Sequence, residues 1–314
     1  MELVKPAPYQ IISVGEAMLE LSQDGPLWRL GYGGDALNFS IHCARIGFPT
    51  AILTAVGADP LSESLPEEWR SEGIDTSLVL IDNTRSTGLY AISTSPAGER
   101  SFSYWRQGSA ASAMFAQPSF GEIAERCLQS NLIFFSLISL AILPEGFRPA
   151  LLALASRVRA NGGLVAFDGN YRPSLWENVA TARRWRDAAA AICDFGLPSL
   201  DDERLLGGFD DPDSIAAHWR SAGAREVVVK LGAAGCRLDD GRLLNPTLLA
   251  AADTSGAGDA FDAAYLCARL RGHSGETAAQ LANSVAGWVV TKNGAIPAMD
   301  FEAPYHLIAE GNAH

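Results

Sequence analysis

Short apolar segments alternate with longer amphipathic helical patterns along most of this chain, and no other feature limits its fold as strongly. Strands are predicted at Ile11–Val14, 51–56, 132–137, Leu164–Asp168, Phe195–Leu197 and 226–230. Helices are predicted at 38–46, Leu65–Ser71, 145–160, 180–193, 214–222, 256–271 and 276–292. Apolar strands separated by amphipathic helices are typical of a parallel sheet that helices cover on both faces. The sequence therefore predicts an α/β fold with a mostly parallel central sheet.

Two stretches, residues 16–33 and 86–107, interrupt this alternation. Both contain short segments of alternating apolar and polar residues separated by turn residues, which indicates antiparallel strands. We expect them to form a small β-sheet lid over a cleft at the carboxyl ends of the main strands. The α/β core then comprises residues 1–15, 34–85 and 108–314. The alternative, in which these stretches are edge strands of the main sheet, stays open.

Composition and charge exclude several classes of protein. The chain has 314 residues and a net charge of −12, which argues against a nucleic-acid or anionic-membrane partner. Its five cysteines lack paired or metal-ligand spacing and are interpreted as reduced core thiols. No apolar run reaches the length of a membrane span, and the first residues do not resemble a signal peptide. We therefore expect a cytoplasmic protein.

A glycine-rich loop at residues 253–261, Asp-Thr-Ser-Gly-Ala-Gly-Asp-Ala-Phe, leads directly into a helical pattern. Backbone N–H groups at a helix start, together with the helix dipole, form an anion site, and glycines allow a phosphate to approach closely. Asp259 is unexpected there because a carboxylate repels a bound phosphate. The conflict disappears if Asp259 accepts a proton from a hydroxyl that attacks the phosphorus. The loop therefore predicts a phosphoryl-transfer site.

Two other phosphate-binding motifs are excluded or weak. No Walker sequence, Gly-x4-Gly-Lys-Ser/Thr, occurs in the chain, and Phe261 stands where a dinucleotide fingerprint needs its third small residue. Residues 31–36 do fit G-x-G-x-x-A. However, the preceding residues 26–30 do not form a buried-strand pattern, so the dinucleotide interpretation is disfavoured.

Residues 253–261 resemble the C-terminal signature of the ribokinase-like (PfkB) carbohydrate kinases, and residues 33–38 with 44–47 resemble the N-terminal Gly-Gly signature of that family. Within the family, residues 15–18, 104–106, 135–143 and 167–176 are similar to segments of 2-keto-3-deoxygluconate kinases. The resemblance implies a ribokinase-like fold. It also implies ATP-dependent phosphorylation of a sugar acid at its terminal hydroxyl.

For catalysis, Asp259 is expected to be the general base. The backbone N–H groups of Gly256, Ala257 and Gly258 would hold the transferring phosphoryl oxygens. The alternative for Asp259 is a first-turn carboxylate that only stabilises the helix dipole.

For the substrate, Arg106 and Arg172 are the candidate partners of a sugar-acid carboxylate, because a planar guanidinium pairs bidentately with that group. The alternative is that both are solvated surface arginines. Further candidate sugar contacts are Gly34, Asp35, Asn38, Tyr90 and Tyr104. The two tyrosines could instead serve only lid packing.

For the nucleotide, the resemblance implies contacts from Asn170, Lys230, Gly232, Gly235, Ser255, Gly256, Gly258 and Asn283. Magnesium is expected with ATP, held mainly by phosphate oxygens and water. Its protein ligands are not identified, because Ser199 and Asp202 stand where the family often has Asn-x-x-Glu. A requirement for a monovalent cation stays open.

The expected partners are therefore a sugar acid and ATP, with a homodimer or higher homo-oligomer as the assembly. A neutral-sugar kinase, for example a fructokinase, is the nearest alternative, and Arg106 and Arg172 distinguish the two. A sugar-binding relative without catalysis is the other alternative. The intact loop around Asp259 argues against it, since binding alone needs no base beside an anion site.

Overall fold

A computed structural model describes residues 9–94, 100–247 and 249–309 of the chain. The strands are β1 Ile11–Val14, β2 Met18–Asp24, β3 Leu27–Gly33, β4 Thr50–Gly57, β5 Ile74–Asp75, β6 Val79–Asp82, β7 Leu89–Thr94, β8 Arg100–Trp105, β9 Leu132–Ser136, β10 Leu164–Asp168, β11 Phe195–Leu197, β12 Glu226–Val227, β13 Val229–Lys230, β14 Cys236–Arg237 and β15 Leu243–Leu244. The helices are α1 Asp35–Arg45, α2 Leu65–Ser71, α3 Phe120–Cys127, α4 Leu137–Ala141, α5 Arg148–Ala160, α6 Val179–Ala190, α7 Leu200–Gly207, α8 Pro212–Ala222, α9 Ala257–Leu270, α10 Gly275–Val290 and α11 His306–Ala309.

The central sheet has the strand order β12-β11-β10-β9-β1-β4-β5, and β6 also pairs with β4. Every pair in it is parallel. Strand β9 shows how both faces are buried: Ile133 and Phe135 pack with α5, α6 and α8, whereas Leu132 and Phe134 pack with α1, α9 and α10. The α/β fold predicted from the alternating pattern is confirmed.

The lid is a separate sheet of order β3-β2-β7-β8. Strands β2 and β3 pair antiparallel, as do β7 and β8, but β2 and β7 pair in parallel. The sequence-based expectation of a wholly antiparallel lid is therefore wrong. The physical reason is that β1 and β6 both end at the carboxyl edge of the main sheet, so β2 and β7 leave that edge in the same direction.

The predicted strand at 226–230 is divided in the structure. Strand β12 closes one edge of the central sheet, while β13 pairs with β14 in a small antiparallel sheet of order β13-β14-β15. Strands of two residues are too short to show a periodic pattern, which is why the sequence did not predict this sheet.

Within the described part of the chain, no helix combines the length and the apolar character needed to cross a membrane.

Candidate active site

Two adjoining cavities lie at the carboxyl edge of the central sheet, where the lid meets the core. The larger, about 740 Å³, is lined by lid residues such as Tyr90 and Tyr104 and by core residues such as Asp259. The smaller, about 310 Å³, is lined by Lys230 of β13, by loop residues on either side of β14 and β15 such as Gly235 and Pro246, and by α9 and α10. The residues lining both cavities are Lys230, Gly232, Thr254 and Gly258. The two spaces therefore meet at the glycine-rich loop and the start of α9.

The loop before α9 has a fixed backbone path. Gly256 caps the helix with a φ of 71°, and a Cβ at this position would lie 2.5 Å from the Cβ of Ala295. The carboxylate of Asp253 accepts hydrogen bonds from the backbone N–H of Ser255 at 3.0 Å and of Gly294 at 2.7 Å. These bonds hold the loop so that the N-terminus of α9, a natural anion site, opens at the junction of the cavities.

Asp259 lies in the first turn of α9 and is only 8% exposed. Asn38 Nδ2 donates to Asp259 Oδ2 at 2.8 Å. Burial, and secondarily the charge of Asp35, raises the pKa of Asp259 to about 8, although the Asn38 hydrogen bond opposes this shift. A carboxylate whose pKa lies near the working pH is suited to take up a proton from a hydroxyl, so the geometry is compatible with the predicted base.

Lys230 links the end of β10 to the side of α9 that also carries Asp259. Its Nζ lies 2.8 Å from Asp168 Oδ1 at the end of β10 and 2.8 Å from Asp262 Oδ2 on α9. Burial lowers the pKa of Lys230, but the charges of Asp168 and Asp262 outweigh this and raise it, so the amine stays protonated. Sequence reasoning missed the two aspartates. A carboxylate at a strand end and another three residues after Asp259 on the same helix were the available signals.

The start of α1 brings three predicted sugar contacts into the larger cavity, namely Gly34, Asp35 and Asn38. Gly34 has a φ of 125°, and a Cβ there would collide with the carbonyl oxygen of Glu16. Ser136 Oγ donates to Asp35, whose pKa is raised by burial. Asn38 Oδ1 is buried without a hydrogen-bond partner among the described residues, which leaves an acceptor for a ligand hydroxyl.

The lid contributes aromatic rings from neighbouring strands. Tyr90 and Tyr104 line the larger cavity, with ring centroids 5.9 Å apart and planes inclined by 27°. Tyr90 is buried and donates its hydroxyl to Glu20, whereas Tyr104 is 54% exposed. Glu20 also lines this cavity and was not among the predicted site residues. The rings form a wall that a sugar could pack against.

Both predicted carboxylate-binding arginines line the larger cavity, but their surroundings differ. The side chain of Arg106 is 11% exposed and forms an ion pair with Glu16, which is fully buried. Arg172 is 52% exposed, and its Nη1 donates to the carbonyl oxygen of Tyr171 at 2.8 Å and to Asp202 Oδ1 at 3.2 Å. Neither is a freely solvated arginine.

The predicted nucleotide contacts divide between the cavities. Gly235 and Asn283 line the smaller cavity, as does the predicted catalytic residue Ala257. Lys230, Gly232 and Gly258 line both, as given above. Asn170, Ser255 and Gly256 line the larger cavity and not the smaller one. A nucleotide that contacts the whole set would therefore extend from the smaller cavity past Gly258.

Residues 9–94, 100–247 and 249–309 contain no group of three or more His, Cys, Asp and Glu side chains arranged to hold a metal ion. Of the carboxylates at the junction, Asp168 and Asp262 are bound by Lys230. Ser199 Oγ donates to Asp202 Oδ2 at 2.8 Å, and burial raises the pKa of Asp202. These side chains fit a metal ion whose ligands come chiefly from a bound phosphate and water.

A buried carboxyl group beside a glycine-rich helix start, at the junction of two cavities, defines a phosphotransferase that acts on an alcohol group. The chain belongs to the pfkB family of carbohydrate kinases, whose model matches residues 9–301. It is 38% identical over 298 residues to the 2-dehydro-3-deoxygluconokinase of Escherichia coli, an alignment covering 91% of this chain and 96% of the relative.

Solved structures share the fold. The crystal structure of a PfkB protein from Polaromonas sp. matches with a TM-score of 0.81 and 28% identity, covering 92% of this chain and 97% of the other. That of a putative ribokinase II from E. coli, in complex with ATP and Mg²⁺, matches with a TM-score of 0.80 and 21% identity, covering 96% and 99%. The predicted ribokinase-like fold is confirmed.

Proposed function

We propose that this kinase transfers the terminal phosphoryl group of ATP to the 6-hydroxyl of 2-keto-3-deoxygluconate, also called 2-dehydro-3-deoxygluconate. The observation that carries the proposal is that Arg106 and Arg172 line the same cavity as Asp259. Two guanidinium groups suit a substrate that carries a carboxylate, and a neutral sugar needs neither. The 38% identity to a 2-dehydro-3-deoxygluconokinase supports the same substrate.

In the proposed reaction, the sugar acid occupies the larger cavity with its carboxylate toward the arginines and its 6-hydroxyl at Asp259. Asn38 holds Asp259 Oδ2, so Oδ1 remains to accept the hydroxyl proton. The hydroxyl oxygen forms a bond to the γ-phosphorus as the bond between that phosphorus and the ADP oxygen breaks. The backbone N–H groups at Gly256, Ala257 and Gly258 meet the charge on the transferred group.

ATP would enter from the smaller cavity, with its base beside Asn283 and its phosphates at Gly258. Lys230 reaches the same junction and adds a positive charge that Asp168 and Asp262 keep in place. A magnesium ion held by the ATP phosphates and water would supply further charge neutralisation there. The oligomeric state and any dependence on a monovalent cation stay predictions, testable by sedimentation velocity and by replacing K⁺ in the assay.

A neutral-sugar kinase remains the second candidate because each arginine already has a carboxylate partner. Glu16 pairs with Arg106 and Asp202 pairs with Arg172, so both guanidinium charges are partly balanced within the protein. If these pairs persist with substrate bound, the cavity attracts a carboxylate less strongly. The sugars that the protein phosphorylates therefore distinguish a sugar-acid kinase from a neutral-sugar kinase.

The test is ADP release from Mg–ATP by the purified protein, with 2-keto-3-deoxygluconate, fructose, ribose and gluconate offered separately. Turnover on the ketodeoxy acid, well above that on the other three, is the expected result. Preference for fructose would retain the kinase and reject the sugar-acid substrate. Sugar binding without turnover on any of them would favour the non-catalytic alternative.

A further inference from the structure

Glu16 is a buried carboxylate with no assigned role, and it follows directly after Gly15 at the end of β1. It is fully buried and does not line either cavity. Arg106 Nε donates to Glu16 Oε2 at 2.7 Å, Arg106 Nη2 contacts the same oxygen at 2.5 Å, and Ser109 Oγ donates to Oε1. Burial raises the pKa of Glu16, but the charge of Arg106 and the hydrogen bonds from Ser109 and Arg106 oppose this. Three donors that converge on one carboxyl group favour its ionised, acceptor-only form.

The ion pair occupies only one side of the Arg106 guanidinium. Nε and Nη2 face Glu16, and no residue in the described part of the chain accepts a hydrogen bond from Nη1. Because Arg106 lines the larger cavity, the edge formed by Nη1 and the second hydrogen of Nη2 remains for a ligand. That edge carries two parallel N–H groups, so it can still form two hydrogen bonds with a ligand carboxylate while the other edge faces Glu16.

The position of the Glu16 carboxylate is fixed by the backbone around it. A Cβ on Gly88, just before β7, would lie 2.5 Å from Glu16 Oε1 and 3.1 Å from its Cδ. Ser109, which follows β8, donates to the same Oε1. Glu16 is thus enclosed by both connections between the core and the lid strands β7 and β8, so its carboxylate has little room to move.

We propose that Glu16 is a positioning residue: it holds Arg106 with one guanidinium edge turned toward the carboxylate of the substrate. This inference rests on the proposed sugar-acid function. Arg106 needs such a partner because a second carboxylate competes for its guanidinium group. Asp35 lies close enough for its charge to interact with that of Arg106, and Asp35 lines the larger cavity. Without Glu16, Arg106 is free to pair with Asp35 and withdraw from the substrate.

The first test is Glu16→Gln, with KM and kcat measured on 2-keto-3-deoxygluconate and on fructose or another accepted neutral sugar. Loss of the positioning partner is expected to raise KM for the sugar acid about tenfold, with kcat changed less than about twofold. The direction of the change in KM distinguishes positioning from charge. If Glu16→Gln removed a negative charge without moving Arg106, the cavity would become more positive and KM for the sugar acid would fall. A lowered or unchanged KM overturns the proposal.

Gly88→Ala tests position without changing charge. The added methyl group must displace the Glu16 carboxylate, so KM for the sugar acid should rise as it does in Glu16→Gln while KM for a neutral sugar changes little. Gly88 is not among the glycines with positive φ, so alanine is compatible with its backbone. Equal increases for acidic and neutral sugars would indicate general damage to the lid and overturn the proposal.

Glu226→Gln is the matched control. Glu226 accepts from Arg269 Nε at 3.0 Å, from Arg269 Nη2 at 2.8 Å and from the hydroxyl of Tyr265, the same set of donor types that surrounds Glu16. It lines neither cavity, so its substitution should leave KM unchanged.

If wild-type protein turns over only neutral sugars, the proposed function fails and this inference with it. If it turns over the acid and Glu16→Gln does not raise KM, only the positioning role fails.

Discussion

The start of α9 and the lid line one cavity but are built in opposite ways. At the start of α9, Asp259 is 8% exposed and Lys230 is bound by two carboxylates at 2.8 Å each. In the lid, Tyr104 is 54% exposed and the outward Trp105 is 61% exposed. Charges at the first region are held by buried partners in the core, whereas the lid combines a buried residue such as Tyr90 with side chains that are half in solvent.

The difference assigns different kinetic tasks to the two regions. Groups that act on the phosphoryl transfer must be in place before the reaction, and a buried helix start with an ion-paired lysine beside it provides this. Groups that recognise the sugar can be on an exposed sheet, since the ligand itself completes their surroundings. We therefore expect changes at α9 to lower kcat for every sugar, and changes at the lid side to alter KM for particular sugars.

The largest expected effect is at α9. Asp259→Asn keeps the shape of the side chain but cannot accept the hydroxyl proton, so kcat should fall at least about 10²-fold with ATP and sugar binding nearly intact. Steady-state kinetics together with calorimetric binding of both ligands measure this. Retained turnover would remove Asp259 from the role of base.

Asp213→Asn is the control for the alternative in which Asp259 only stabilises a helix dipole. Asp213 is also an acidic residue in the first turn of a helix, α8, but its side chain is 76% exposed and lines neither cavity. If the dipole were the whole role of Asp259, the two substitutions should have equally small effects on turnover.

The same contrast separates what the sequence could and could not predict. The loop at 253–261 and the helix after it are local features, so the helix and the place of Asp259 in its first turn could be predicted from the sequence, while the anion site there stays a prediction. The parallel pairing of β2 with β7 joins segments about 70 residues apart, and alternating polarity carries no information about strand direction. Glu16 was not predicted to matter, because its partner Arg106 is 90 residues away in the chain.

The next largest effect is expected at Arg172, which follows β10 and lines the larger cavity together with the lid residues. Arg172→Ala removes a guanidinium from the larger cavity and should raise KM for the sugar acid roughly tenfold or more, with a much smaller change for a neutral sugar. Arg225→Ala is the control, because Arg225 is 67% exposed and lines neither cavity. Equal changes of KM for acidic and neutral sugars would reject carboxylate recognition by Arg172.

A shift in the pH profile is expected from neighbours of Asp259. The base must be deprotonated to act, so kcat/KM should rise with pH through about 8, the pKa to which burial and Asp35 raise Asp259. Asp35→Asn removes a neighbouring charge and should move this rise to lower pH. Asn38→Ala removes the hydrogen bond that lowers the pKa and should move it to higher pH. Shifts of the same sign in both variants would contradict this assignment.

The smallest expected effect is on stability, and it again separates the two regions. The unfolded chain releases the Asp259 proton near pH 4, but the folded protein keeps it until about pH 8. This group therefore favours folding fully only below about pH 4, and its contribution falls by about 1.4 kcal/mol per pH unit up to the folded pKa. Asp259→Asn should raise Tm by a few degrees at pH 7.5 and by less at pH 5.5, as measured by thermal unfolding.

Tyr104→Phe in the lid removes no carboxyl group, so its Tm difference from wild type should be the same at both pH values. A pH-independent difference for Asp259→Asn as well would mean that burial at α9 does not perturb this carboxyl group.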